Sequence, residues 1–256
     1  WRRLWMDRIE ANRPWGLTWM RHQRRDEYWR HGSVCEDFPA IKIPVYAVSG
    51  WADNYSEAVP RLLAGMTAPC RGLVGPWAHS FPQDVTVEPA IGWLQEVLRW
   101  CDHWMKGRET GIMDEPALRV WMQESLPPKT CYSERPGRWV GEEVWPSPRI
   151  LNRVLHPVGG ALRDTQQTGT AQVCSPLWVG IAAGEIGRYG GDADWPTDQR
   201  EDDAGSLVWV TDPLPERLEI LGAPKLRLRV ASDKPLALVA VRLNDVAPDG
   251  ASTRVT

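Results

Sequence analysis

An α/β unit followed by an antiparallel β-sandwich is the fold class the sequence predicts, and three observations predict it. Between residues 41 and 106, apolar runs of strand type alternate with amphipathic helical stretches, as in a parallel sheet with crossover helices. After Gly111 the helical stripes stop, and short runs with period-two alternation, punctuated by Pro and Gly, take over. The chain also holds 16 Trp against 2 Phe, with 22 Pro. An indole is costly to bury unless its N–H finds an acceptor, so many of these rings are expected to line clefts or sheet faces. A length of 256 residues allows one or two domains at roughly 150 residues each.

The elements follow in order. Residues 1–31 read as helical, with Leu4, Trp5, Ile9, Trp15, Trp19 and Met20 at helical spacing around a break at Pro14. Ile41-Lys-Ile-Pro-Val-Tyr-Ala-Val48 is a nearly all-apolar, β-branched run bounded by Ser49-Gly50, which fits a buried parallel strand. Residues 56–66 give a short amphipathic helix with Ala58, Leu62, Leu63 and Met66 on one side, and residues 70–74 a second short strand. Residues 88–106 carry the strongest helical signal, an apolar stripe of Ile91, Leu94, Leu98, Cys101 and Met105. The texture changes near residues 108–115, where a domain boundary is expected. Strands are then expected at residues 116–122, 138–145, 150–155, 207–210, 218–221, 225–230 and 236–246. A turn at Pro248-Asp249-Gly250 leads into a return strand, and residues 184–205, rich in Gly, Asp and Pro, read as a long connection.

Composition narrows the function classes. With 43% hydrophobic and 25% charged residues the chain is an ordinary globular one. A net charge of −3 with Lys and Arg spread along the sequence gives no electrostatic case for nucleic-acid binding. No apolar run approaches the roughly 18–20 residues that span a bilayer, so no membrane partner is expected. Cys35, Cys70, Cys101, Cys131 and Cys174 are odd in number, widely spaced and without a CxxC pair. They read as free thiols of a reducing, cytoplasmic setting, not as a zinc ribbon. The chain opens on Trp1 and stops about four residues into its last strand, so both ends read as truncations.

Two strand ends carry the candidate chemistry. The first strand runs into Ser49-Gly50-Trp51-Ala52-Asp53-Asn54-Tyr55 and the second into Gly75-Pro76-Trp77-Ala78-His79-Ser80. In open α/β sheets ligands bind beyond the carboxyl ends of parallel strands. An acid after one strand and a histidine after the next is the layout of the last two members of an α/β-hydrolase triad. The carboxylate would accept a hydrogen bond from one imidazole nitrogen, leaving the other as a base towards a serine hydroxyl. Spacing alone leaves the blander reading open. A strand-end Asp often caps a helix, a role Asn54 or Ser56 would fill equally well, and a His after a strand is often a loop or capping residue. None of the serines at positions 33, 49, 56, 80, 125, 133, 147, 175, 206, 232 or 252 sits in a G-x-S-x-G turn. A hydrolase reading therefore expects its nucleophile upstream of Trp1.

Ile43-Pro44-Val45, Gly50-Trp51-Ala52-Asp53-Asn54-Tyr55, Gly75-Pro76-Trp77-Ala78-His79 and Leu98-Arg-Trp-Cys-Asp-His-Trp-Met-Lys-Gly107 together resemble the cocaine-esterase and X-prolyl dipeptidyl-peptidase family of serine hydrolases. Cys101 and Met105 stand where the family usually has Phe and Leu. Asp26-Glu-Tyr-Trp-Arg30 resembles the end of the family's helical cap. Residues 202–207, 221–224 and 241–250 resemble its C-terminal jelly-roll. The resemblance implies a cap remnant over residues 1–35, the C-terminal part of an α/β-hydrolase domain over 36–112, and a jelly-roll over 113–256. It makes Asp53 the triad acid and His79 the general base, with the serine and oxyanion-hole groups outside the chain. It implies hydrolysis of a small ester or short peptide through an acyl-enzyme, with no cofactor and no metal, and leaves room for a homo-oligomer. Trp51, Tyr55 and Trp77 flank the two turns, as walls of an acyl or leaving-group pocket or as packing beneath the loops.

Other residues have plainer readings. Asp102, near the helix stripe, reads as a hydrogen-bonded structural acid. His22, His31 and His156 read as surface or capping residues, and Arg21-His-Gln-Arg-Arg25 as a solvated helix face. Trp139, Trp145, Trp178, Trp195 and Trp209 are expected as sandwich core rings or as a binding face. A Trp-rich sugar- or partner-binding module is the rival reading and expects no contact between Asp53 and His79. A metal hydrolase would need Asp53, His79 and His103 each within about 2.0–2.2 Å of one ion.

Overall fold

The computed structural model describes residues 1–167, 169–185 and 195–256. Three short helices open the chain: α1 (Arg2–Ala11), α2 (Trp15–Arg21) and α3 (Glu27–His31). The break between α1 and α2 falls at Pro14, as its missing N–H and fixed φ dictate. Asp26 caps α3 by accepting from the Tyr28 N–H at 3.1 Å.

The core follows. Strand β1 (Val45–Gly50), helix α4 (Ala58–Gly65), strand β2 (Cys70–Gly75), helix α5 (Trp93–Lys106), and strands β3 (Leu118–Gln123) and β4 (Gly137–Glu142) build one four-stranded sheet of order β1-β2-β3-β4 with two helices. Pairing is parallel from β1 to β2 and from β2 to β3, then antiparallel from β3 to β4. The sheet takes two strands from each side of residues 108–115, where a domain boundary was expected. Leu118 and Val120 explain why: both are fully buried and complete the core of Val59, Leu63 and Val74.

Period-two geometry gives the sheet two different faces. On one, Ala47, Val74, Leu118 and Val120 pack under Val59 and Leu63 of α4. On the other, Tyr46 of β1 and Arg119 of β3 meet α5. Arg119 reaches Glu96 at 2.9 Å and Glu115 at 2.9 Å, and Arg99 reaches Glu115 at 2.6 Å. Tyr46 sits beside this network, its ring 5.3 Å from those of both Trp93 and Trp100. Burial pushes its phenol up to about 12. Helix α5 thus starts at Trp93, five residues later than the periodicity suggests and past Ile91, and packs through Trp93, Glu96, Arg99 and Trp100. The expected stripe is its outer side, with Leu94, Leu98 and Met105 at 62%, 56% and 80% exposure.

The C-terminal half departs further from expectation. Strands β5 (His156–Val158) and β6 (Ala161–Arg163) form one hairpin, helix α6 (Arg200–Asp203) follows, and β7 (Asn244–Val246) and β8 (Ser252–Arg254) form another across the expected turn. The expected strand at residues 150–155 is absent, and that at 236–246 shrinks to its last three residues. Residues 207–210 supply one bridge, Val210 to Ala161, and residues 218–221 and 225–230 form no strand. A strand is defined by its ladder, and among the described residues these stretches lack one. Part of the expected connection, residues 186–194, lies outside the described residues. Within its remainder, buried Asp202 accepts from the Gly180 N–H at 2.8 Å and the Ala182 N–H at 3.2 Å, and Arg242 lies 3.2 Å away. That pairing satisfies a buried carboxylate.

Candidate active site

Strands β1 and β2 are in parallel register to their last residues, Gly50 opposite Gly75, and the pairing continues into the loops. The Trp51 N–H donates to the Gly75 carbonyl at 2.9 Å and the Ala52 N–H to the Trp77 carbonyl at 3.0 Å. The two loops are therefore laced together by backbone bonds. Glycine is required at both starts. A Cβ on Gly50 would lie 1.9 Å from the Trp77 carbonyl oxygen, and one on Gly75 2.5 Å from the Trp77 ring.

From this base Asp53 and His79 meet. The His79 Nδ1 and Asp53 Oδ2 are 2.9 Å apart, within the 2.6–3.2 Å reach a catalytic pair needs. The other carboxylate oxygen, Oδ1, accepts the Tyr55 N–H at 3.0 Å, and the Asp53 N–H donates to the Gly50 carbonyl at 3.1 Å. Asp53 is thus held from both ends. Its side chain is 10% exposed and that of His79 39%, so the acid is shielded while the imidazole reaches solvent. A carboxylate accepting from Nδ1–H fixes the tautomer with its lone pair on Nε2.

The flanking aromatic residues divide. Trp77 is 1% exposed and donates its indole N–H to the Pro89 carbonyl at 2.8 Å. Trp51 packs on the α4 core and donates to the Trp121 carbonyl at 2.7 Å. Each of these two indoles is thus tied to a backbone carbonyl. Tyr55 is exposed, its ring 6.0 Å from that of His79. Burying an indole such as Trp77 is worth roughly 3–5 kcal/mol, and with its N–H satisfied little of that is lost.

The remaining candidates fall outside this site. Asp102 is held by Lys106 at 2.6 Å and Arg108 at 2.8 Å, which keep its carboxyl below the usual range. His103 faces the Arg108 carbonyl at 3.2 Å, and His22 pairs with Asp26 at 2.7 Å. Among the described residues no group of three or more His, Cys, Asp or Glu is placed to hold a metal ion. An open concavity of about 660 Å³ between α2 and α3 is lined by Trp19, Met20, His22, Arg24, Arg25 and Trp29, with neither Asp53 nor His79. Sequence reasoning missed one neighbour of the dyad. Trp195, expected in a sandwich core or on a binding face, packs against Ala52 and Ala78 of the two turns. The only hint was the small residue before each of Asp53 and His79.

Comparison with known proteins adds the following. Residues 110–256 match the X-Pro dipeptidyl-peptidase C-terminal non-catalytic domain, and residues 1–81 match the X-Pro dipeptidyl-peptidase S15 family. A Mycobacterium bovis protein named as a serine esterase is 28% identical over 247 residues, covering 90% of this chain and 36% of that protein. Cocaine esterase from Rhodococcus is 24% identical over 265 residues, covering 93% of this chain and 44% of the esterase. A Rhodopirellula baltica protein named as an Xaa-Pro dipeptidyl-peptidase is 28% identical over 145 residues, 57% of this chain and 21% of the relative. A crystal structure of a CocE/NonD family hydrolase from Staphylococcus aureus aligns with a TM-score of 0.46 at 12% identity, covering 61% of this chain and 27% of the hydrolase. The chain therefore spans less than half the length of these curated relatives.

Proposed function

Because the chain belongs to the X-Pro dipeptidyl-peptidase family and is also similar to cocaine esterase, we propose that Asp53 and His79 are the acid and the base of a Ser-His-Asp triad. The nucleophilic serine lies in a part of the protein outside these 256 residues. The observation that carries this reading is the 2.9 Å Asp53–His79 bond at the ends of two parallel strands. A family motif without that contact would supply no mechanism.

In the reaction, His79 Nε2 takes the serine proton as Oγ bonds to the substrate carbonyl carbon. It then gives the proton to the departing oxygen or nitrogen as that bond breaks. Water repeats the sequence on the acyl-enzyme, with His79 again base and then acid. Asp53 stays ionised and stabilises the imidazolium at each step. The substrate is a small ester or a short X-Pro-type peptide, with Tyr55 as the exposed ring beside the base. The chain alone, lacking a nucleophile, is inactive.

The same reading divides the molecule. Residues 1–35 end a helical cap, 36–112 end the hydrolase domain, and 113–256 belong to a jelly-roll whose first two strands, β3 and β4, extend the hydrolase sheet. Five free thiols fit a cytoplasmic setting. The test is the full-length protein with His79→Ala, assayed on small aryl esters and on X-Pro dipeptide anilides. Turnover of whichever class the parent hydrolyses should fall by roughly 10³-fold or more. Activity equal to the parent on both would overturn the assignment.

A further inference from the structure

Resting on the catalytic reading of Asp53 and His79, we propose that Trp195 is a positioning residue for this pair, an indole from the C-terminal segment that holds the acid turn and the histidine turn in register. Backbone bonds carry the two loops together only as far as Ala52 and Trp77. Past that point packing takes over. Ala52 and Ala78, each immediately before a member of the pair, form a buried cluster, and Trp195 packs against it. One rigid ring therefore bears on both turns, and a shift in that ring moves the two relative to each other.

Trp195 is itself anchored from several sides. Its backbone N–H donates to the Thr130 carbonyl at 2.9 Å, and its ring stands edge-to-face with Tyr132 at 5.6 Å and 88°. The Arg135 guanidinium lies 5.3 Å from the Trp195 ring and 4.7 Å from that of Tyr132. Arg135 in turn donates from Nε to Gln123 Oε1 at 2.9 Å, at the end of β3. A continuous set of packed groups thus joins the sheet's third strand to the dyad through a segment that the family description calls non-catalytic. A displacement of about 1 Å at a reacting group can cost roughly 10²-fold in rate, which sets the size of the expected effect.

The experiment uses the full-length protein with Trp195→Ala, Trp195→Phe and, as reference, His79→Ala. It reads kcat, KM and the downfield proton resonance of the His79 Nδ1–H bonded to Asp53, identified by its loss in His79→Ala. Trp195→Ala should lower kcat by roughly 10²-fold with KM nearly unchanged, and should shift or broaden that resonance. Trp195→Phe, which keeps a flat ring against the two alanines, should restore most of both and guards against simple misfolding. Parental kcat in Trp195→Ala, or a lost kcat with the resonance unmoved, would overturn the proposal. If His79→Ala instead turns over like the parent, the catalytic reading falls, and the resonance in Trp195→Ala decides by itself whether Trp195 holds the pair.

Discussion

Residues 45–79 and residues 207–243 have similar apolar patterns and different fates. In the first stretch, Ala47 and Val74 turn to α4 while Tyr46 turns to α5, and each strand has a hydrogen-bonded neighbour. In the second, Leu226, Leu228 and Val230 alternate with Lys225, Arg227 and Arg229 just as regularly, yet these three side chains are exposed and no strand forms over them. Alternation describes a two-faced ribbon; the partner strand turns it into structure. The candidate site sits at the ends of two strands that are paired to each other to their last residues, and so a 2.9 Å contact can be held there.

The contrast can be broken at four points. The largest effect is expected at Asp53→Asn in the full-length protein. The amide preserves shape but favours the wrong imidazole tautomer, so kcat should fall by roughly 10⁴-fold while the urea midpoint stays close to the parent's. A loss within tenfold, measured by steady-state kinetics, would make the contact structural.

Next comes Gly50→Ala, whose new Cβ would meet the Trp77 carbonyl oxygen at 1.9 Å. The backbone of one turn must move, and a loss of about 3 kcal/mol is expected from urea unfolding. A neutral result would mean that the lacing of the two loops is loose.

A smaller effect is tied to pH at Tyr46, whose phenol is pushed up to about 12 chiefly by burial. Its folded value lies above its unfolded value of about 10. Stability from the neutral phenol is therefore full below about pH 10 and declines as pH rises through the folded value near 12. The stability gap between parent and Tyr46→Phe should narrow across that window in parallel urea titrations. A gap that stays constant would place Tyr46 outside the buried network.

The smallest effect is expected at Leu228→Ser, within about 0.5 kcal/mol, because an exposed side chain leaves no cavity. A cost above about 1.5 kcal/mol would show that the stretch has a partner after all, and the contrast would collapse.

Much of the hydrolase-like half was legible because its signals are local. The Pro14 break, both parallel strands, α4 and α5 follow from periodicity and punctuation, and the two loop motifs place Asp53 and His79 at the right strand ends. The buried face of α5 was not legible. Its apolar stripe is real, but the helix is drawn to the sheet by Glu96 and Arg99, whose partners Arg119 and Glu115 come later in the chain. The anchoring of the Trp51 and Trp77 indoles was hidden too, since an indole can line a cleft or fill a core and only its acceptor decides. Those acceptors, the Trp121 and Pro89 carbonyls, are 70 and 12 residues away. Strands after residue 206 were over-predicted for the reason given above.

The lacing of the two loops also sets which positions are open to redesign. Gly50 and Gly75 leave no room for a side chain, since a Cβ would meet the Trp77 backbone at the first and the Trp77 ring at the second, so a library built at those two positions would mostly return destabilised clones. Tyr55 and Phe81, both exposed, follow Asp53 and His79 by two residues each. Randomising those two side chains changes the surface a substrate meets without touching the scaffold, so they are the first places to look when altered selectivity is wanted.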